Sequence, residues 1–351
     1  MPRRKADRTP ATSFVAEAGR RATSYDVARI AGVSQSAVSR CFAPNASIAP
    51  AKRELILKVA AEIGYRPNAL AQALISKRTN LVAVLISNLT NLYYPEVLAG
   101  LSASLTDRDV RVLLFNLNAE SEVDEVIDQV WRHSVDGVIA AARLSEQQLR
   151  QFAEHQILVV MYNRLASGPN AASVRCDSVS GERTLVDGLI ASGHHRFGII
   201  AGPQDSYVGE ERRTAALTLL AEKGFADVPM VRGDFSYASG RDGLLALASG
   251  KQKLDAIICA SDLMAIGAMD AARIELGRNI PDDMSIVGFD GSGPAAWESY
   301  RLTTIRQPVG RMTEAAAAML IERIHDPLYP AEQRLFSGRL IEGASARLGA
   351  C

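Results

Sequence analysis

The sequence predicts an α/β protein with a small helical head, followed by a larger body of two lobes built on doubly wound parallel sheets. Three observations carry that reading. At 351 residues the chain exceeds one ordinary core, so two or three domains are expected. From Leu81 onward, apolar runs alternate with amphipathic stretches: LVAVLIS, VRVLLFN, GVIAA and ILVVMYN before about residue 165, then FGIIAG, AIICA and SIVGFD. Near-continuous Val/Ile/Leu strands separated by helices belong to parallel sheets covered on both faces, and two such series make two lobes. Finally, the formal net charge of zero hides a segregation. Residues 1–80 hold 14 Lys+Arg against 5 Asp+Glu, and the remainder 25 against 34. A head at +9 on a body at −9 points to a polyanion that meets the head alone.

The head is read from YDVARIAGVSQSAVSRCF, Tyr25 to Phe42. Thr23 stands three residues before Asp26, a capping-box start for a helix with Val27 and Ile30 inward. Gly32 ends it with the backbone freedom a tight turn needs, and Val33 fills the joint. Ser34 N-caps a second helix that buries Ala37, Val38 and Cys41. Its outward residues, Gln35, Ser36, Ser39 and Arg40, are short or planar hydrogen-bonding groups of the kind that fit base edges and phosphates in a major groove. A third helix follows, with Pro50 in its first turn and Leu55, Ile56, Val59 and Ile63 inward, ending at Gly64. Next comes YRPNALAQALISKRTN, where Pro67 breaks the third helix and Asn68 caps a segment of about two turns. A helix this short is marginal alone, which suits a hinge that forms only when something organises it.

These segments, in this order and spacing, resemble the DNA-binding head and hinge of the lactose-repressor (LacI/GalR) family of bacterial transcription regulators, a resemblance that spans residues 23–345. It implies that the second helix enters the major groove, with Gln35, Ser36 and Arg40 at the reading positions and Tyr25, Ser34 and Ser39 beside them. It implies that the hinge of each subunit, with Asn68, Ala71 and the wedge Leu74, lies in the minor groove. An apolar wedge is least costly at a flexible pyrimidine–purine step. The sequence departs from the family pattern at Ala37 and Ala43, where threonine and asparagine are usual, and at Ala49, where the family has a serine cap.

For the body the resemblance implies the periplasmic-binding-protein type I fold, with an effector between the lobes at the carboxyl ends of the strands. The positions that match by motif are Ser87, Tyr93, Asn163, Arg164, Arg212, Phe235, Ser261, Asp262 and Asp290. An arginine, carboxylates, amides and an aromatic plate are what a polyhydroxylated ligand requires. Arg212 and Asp290 fit the motif best, and pairing with each other is the alternative to contact with a ligand.

The expected organisation is a disordered basic leader over 1–22, a helix-turn-helix head over 23–66, a hinge over 67–80 and an effector and dimerisation domain over 81–345. The expected function is a sequence-specific repressor, not an enzyme, binding palindromic operator DNA as a homodimer under control of a sugar-like effector that either induces or co-represses. No metal or cofactor is called for. A sugar-binding protein without DNA function and a carbohydrate-active enzyme are the alternatives; the basic head and the capped helix-turn-helix speak against both. GSGPAA, Gly291 to Ala296, has the spacing of a dinucleotide turn, but Pro294 and its late position argue against one. His194 and His195 follow a helix end, where histidines cap carbonyls more often than they bind metal. The four cysteines lack CxxC spacing and suit reduced thiols. No apolar run reaches the ~20 residues of a membrane helix, and MPRRKADRTP lacks the apolar core of a secretory signal, so a cytoplasmic protein is expected. No heptads follow GASARLGAC, which favours a dimer over a higher oligomer.

Overall fold

The computed structural model describes residues 21–42, 47–67, 78–87, 89–117, 122–166, 172–326 and 328–349. The chain divides into two compact units, Met1–Thr79 and Asn80–Cys351. Most of the leader, and Asn68, Ala71 and Leu74 of the hinge, lie outside the described residues.

In the first unit, α1 (Ser24–Ala31), α2 (Gln35–Cys41) and α3 (Pro50–Glu62) enclose a small core. The local signals act as expected. Thr23 and Asp26 form a reciprocal capping box, Gly32 closes α1 at φ 62°, and the Ser34 side chain accepts from the backbone N–H of Ala37. Val27, Ala37, Val38, Cys41, Ile56 and Val59 are buried together, and Phe42 meets Tyr65 edge to face with ring centroids 5.6 Å apart. One expectation fails. Leu55 is 43% exposed, because Ile56, Val59, Ala60 and Ile63 already form the inward stripe of α3 and Leu55 falls beside it.

The second unit holds two six-stranded sheets. One has the order β11-β5-β4-β3-β1-β2, the other β12-β10-β9-β8-β6-β7. The first lobe is built from β1 (Leu81–Ser87), β2 (Arg111–Leu117), β3 (Gly137–Ala141), β4 (Leu158–Tyr162) and β5 (Ala172–Cys176), with α4 (Tyr93–Thr106), α5 (Val123–Arg132) and α6 (Glu146–Glu154) between strands. The second comprises α7 (Ser178–Ala191), β6 (Phe197–Ala201), α8 (Tyr207–Glu222), β7 (Met230–Arg232), α9 (Tyr237–Ala248), β8 (Ala256–Cys259), α10 (Asp262–Asp270), β9 (Ser285–Asp290) and β10 (Thr303–Arg306). Helix α11 (Val309–His325) packs back onto α4 and the first sheet. Then β11 (Gln333–Phe336) pairs in parallel with β5, and β12 (Arg339–Ile341) pairs antiparallel with β10. All other pairings are parallel.

Apart from the late strands, each lobe therefore runs in the order 2-1-3-4-5, whose switch point lies between the first and third strands. The loops after β1 and β3, and after β6 and β8, occupy that position. The chain passes between lobes three times: after β5, after β10 and between β11 and β12. These passages lie side by side. A Cβ on Gly338 would stand 2.5 Å from Ile305 and 3.6 Å from the Cys176 sulfur, and Asp177 donates its backbone N–H to the Phe336 carbonyl.

Candidate DNA-reading surface and effector cleft

The amino end of α2 gathers the groups expected to read DNA. Tyr25 is 72% exposed, and Ser36 and Arg40 are exposed as well. Gln35 is half-buried and donates weakly to Ser24 Oγ at 3.3 Å and to Ser39 Oγ at 3.4 Å. Ser34 Oγ, besides capping, lies 3.0 Å from Ser36 Oγ, and Arg40 Nε donates to the Ser36 carbonyl at 3.4 Å. Bonds of this kind hold an amide, four hydroxyls and a guanidinium in one patch without saturating them. Around the patch, Arg21, Arg29, Lys52, Arg53, Lys58 and Arg66 are exposed. Asp26 is buried in its cap, leaving only Glu54 and Glu62 as exposed acids among the described head residues. That surface has the chemistry of a polyanion-binding face.

In the body, most of the candidate effector residues converge at the carboxyl ends of strands. In the first lobe, Arg164 is 1% exposed; it donates to the Asn163 carbonyl at 3.0 Å, to Tyr94 Oη at 3.3 Å and to Ser87 Oγ at 3.5 Å. In the second, Arg212 is 3% exposed, pairs with Asp290 at 3.0 Å, donates to the Ala260 carbonyl at 2.7 Å and lies 3.9 Å over the Phe289 ring. A buried guanidinium is tolerable only with such partners. Asp290 acts on Arg212 strongly enough to raise its pKa despite burial, while burial pushes the Asp290 carboxyl up against the pull of Arg212, Gln307 and Asn91.

One amide joins the two clusters. Gln307 Nε2 donates to Asp290 Oδ1 at 2.8 Å, and Gln307 Oε1 accepts from Asn163 Nδ2 at 2.7 Å and from Tyr93 Oη at 3.1 Å. Tyr93, Asn163, Asp290 and Arg212 thus form one hydrogen-bonded chain from lobe to lobe. Gln307 and Asn91 extend the candidate set; nothing in a glutamine after the short run TTIR marks it in advance. Backbone strain collects at the same place, with Asn163 at φ 52° and Asp290 at φ 129°.

Three candidates have other partners. Ser261 caps α10 by accepting from the Met264 N–H. Both oxygens of Asp262 are taken, one by Thr304 Oγ1 and one by the Ser292 N–H, each at 2.5 Å; burial, then the nearby Asp290, pushes its carboxyl up to about 7. Phe235, at φ 67°, is 6% exposed, and its ring lies against Gly202 within the second-lobe core. His194 is buried, its Nδ1 lying 2.9 Å from the Leu189 carbonyl, which makes it a helix-end cap. After β9 the chain enters a 3-10 turn at Gly293–Ala296 rather than a phosphate-binding helix. Among the described residues no group of His, Cys, Asp and Glu is arranged to hold a metal, and no helix is long and apolar enough to cross a membrane.

Comparison with known proteins agrees with this geometry at both ends of the chain. Residues 23–68 match the model for bacterial regulatory proteins of the lacI family, and residues 186–346 that for a periplasmic binding protein-like domain. The HTH-type transcriptional regulator CelR of Thermobifida fusca is 30% identical over 318 residues, covering 88% of this chain and 93% of its own. A structure of a transcriptional regulator CelR–cellobiose complex superposes with a TM-score of 0.70 at 29% identity, over 93% of this chain and 100% of that one. The lac repressor dimer bound to operator and an anti-inducer superposes with a TM-score of 0.83 at 24% identity, over 93% and 99%, a likeness of fold. With a helix-turn-helix head and a two-lobed body that each match, and a relative spanning nearly its whole length, this chain belongs to the LacI family of bacterial regulatory proteins.

Proposed function

We propose that the protein is a homodimeric transcriptional repressor that reads a palindromic operator through α2 and is controlled by a sugar or sugar derivative bound between the lobes. The observation that carries the regulatory half is the chain Arg212–Asp290–Gln307–Asn163/Tyr93. It places charged and amide groups where the carboxyl ends of two sheets meet, and one polyhydroxylated molecule can compete for all of them. The cellobiose complex of a similar regulator supports a saccharide. On the DNA side, Gln35, Ser36 and Arg40 supply base contacts, Tyr25, Ser34 and Ser39 support them, and the hinge residues Asn68, Ala71 and Leu74 enter the minor groove. Two-fold symmetry then makes the operator palindromic. Ligand-dependent movement of one lobe against the other changes how the two hinges meet, which couples the sites. The test has two arms: selection of binding sites from random DNA, and a thermal-shift screen of neutral sugars, sugar acids and nucleobases. A palindromic consensus that a stabilising sugar weakens or strengthens supports the proposal. Selection without a two-fold motif, or stabilisation by nucleobases alone, refutes the corresponding half.

A further inference from the structure

Helix α7 carries a buried acid that the site described above does not use. Glu182 is 1% exposed, and its Oε2 has no hydrogen-bond partner. The preceding Gly181 abuts the Phe289 ring, where a Cβ would come within 2.7 Å, and the Arg212 guanidinium lies over that same ring. The guanidinium Nε is itself buried without a partner, as is Asp290 Oδ2. Three buried charged side chains from three elements, Glu182 on α7, Arg212 on α8 and Asp290 on β9, thus act on one another, and each holds a polar atom without a hydrogen-bond partner. An isolated buried carboxylate is costly, and attraction to Arg212 offsets that cost here.

We infer that Glu182 is a positioning and specificity residue of the effector cleft: once ionised it joins Asp290 beside Arg212 and turns that cluster net negative, so the cleft selects an uncharged hydroxylated effector over its carboxylated counterpart, and does so more strongly as pH rises. The inference rests on the effector reading proposed above. A guanidinium with one acidic partner can exchange it for a ligand carboxylate. With two ionised acids beside it, an incoming anion meets a net negative triad. Burial pushes the Glu182 carboxyl up to about 8, against the pull of Arg212, so the acid is neutral at pH 6 and ionised at pH 9. The charged and titratable groups that act with it are Arg212 on α8, on which Asp290 and Cys176 also act, and the Cys259 thiol on β8, on which Asp262 also acts.

The experiment uses the full chain as wild type, Glu182→Gln and Glu182→Ala. Each is titrated calorimetrically with three matched pairs: D-glucose and D-gluconate, D-ribose and D-ribonate, cellobiose and cellobionate. These acids stay ionised from pH 6 to 9, so any change in discrimination comes from the protein. The wild type should prefer the neutral member of whichever pair binds, and its preference should widen by at least about tenfold from pH 6 to 9, as expected for one added charge within several ångströms. In Glu182→Gln the widening should be lost, beyond the share that Asp262 contributes to both proteins. Glu182→Ala guards against a Gln variant that does not fold. Preference for an acid by the wild type, or equal widening in wild type and variants, overturns the assignment. If no saccharide of either charge binds, the sugar reading fails, and melting temperature against pH decides on Glu182 alone. Wild type should then lose stability relative to Glu182→Gln between pH 5 and 9, because a raised carboxyl pKa destabilises the fold as pH climbs toward it. Parallel curves overturn its placement beside Arg212.

Discussion

Replacing Arg212 by Met tests whether the arginine is the electrostatic anchor of the cleft. Methionine keeps a flexible apolar stem against Phe289, so the change removes mainly charge. What remains is Asp290, 2% exposed, with Gln307 Nε2 as its donor at 2.8 Å and a further contact to Asn91. Breaking one partner out of a buried ion pair costs about 3–5 kcal/mol. Protonation caps the loss, because a carboxyl with an ordinary pKa of about 3.9 escapes any larger penalty at pH 7 at roughly 1.36 kcal/mol per unit, or about 4 kcal/mol. Glu182, already pushed up to about 8, is largely protonated at pH 7 and adds little. The deficit should therefore approach about 3–4 kcal/mol at pH 7. Its sign with pH follows from the raised carboxyl: the loss is absent below the unfolded pKa and grows as pH rises toward the folded one. Between pH 7 and 5 the ceiling drops by about 2.7 kcal/mol. Urea unfolding followed by tryptophan fluorescence reports the body, since Trp131 and Trp297, the two tryptophans, both lie there. A deficit under about 1 kcal/mol at pH 7, or one that does not shrink by pH 5, would show that Asp290 is not left holding a buried charge.

Further outcomes follow from the other unit and from the linking amide. Substituting Gln35 and Ser36 together should change the selected operator sequence, and an unchanged consensus would remove them from base reading. Leu74→Ala should lower specific affinity and DNA bending while sparing weak, salt-sensitive binding; equal bends in a circularisation assay would refute the wedge. Gly32→Val should destabilise the head by about 1–2 kcal/mol through its left-handed φ of 62° although the space beside it is open, leaving the body's unfolding midpoint where it was. Gln307→Leu should weaken the response to any stabilising sugar at least about tenfold, the scale of one to two buried hydrogen bonds; an unaltered midpoint in the sugar titration would place Gln307 outside the site.

How much of this was legible in the sequence depends on how local each cause is. Capping at Thr23 and Ser34 and the turn at Gly32 are settled within three residues, so they read directly from the chain. Runs such as LVAVLIS and SIVGFD announce strands because a strand covered on both faces has no polar side. The edge strands β7, β11 and β12 are short, and QRLF and RLI carry charge, so no run marks them. Their pairing is decided by strands far away in sequence. Arg212, Asp290, Asn163 and Tyr93 were findable by motif, whereas Glu182 sits in SVSGERTLVDGL, where an acid reads as part of a solvated helix face. Only the third dimension turns that face inward, against Phe289 and Arg212. Phe235 and Asp262 show the converse: residue type and position in a loop do not reveal that Gly202, Thr304 and Ser292 already occupy them.

The three passages between the lobes also set an order of assembly during synthesis. The head is one continuous segment, complete once residue 67 has left the ribosome. The first lobe is different, because its covering helix α11 and its edge strand β11 are encoded after all of the second lobe but its last strand, β12. From the end of β5 at Cys176 to the start of α11 at Val309 and of β11 at Gln333 is roughly 130 and 160 residues, so at ~5–20 residues per second the open edge of β5 and the face that α11 will cover wait about 7–30 seconds. Until then that half of the body is a sheet without its lid. The second lobe waits far less, needing only β12, which follows β11 almost at once. Nascent chains halted near residue 300 should accordingly engage chaperones through the first lobe. A protein cut after β5 cannot yield two independent halves, since the first lobe's helix α11 and last strand β11 are then carried on the other piece.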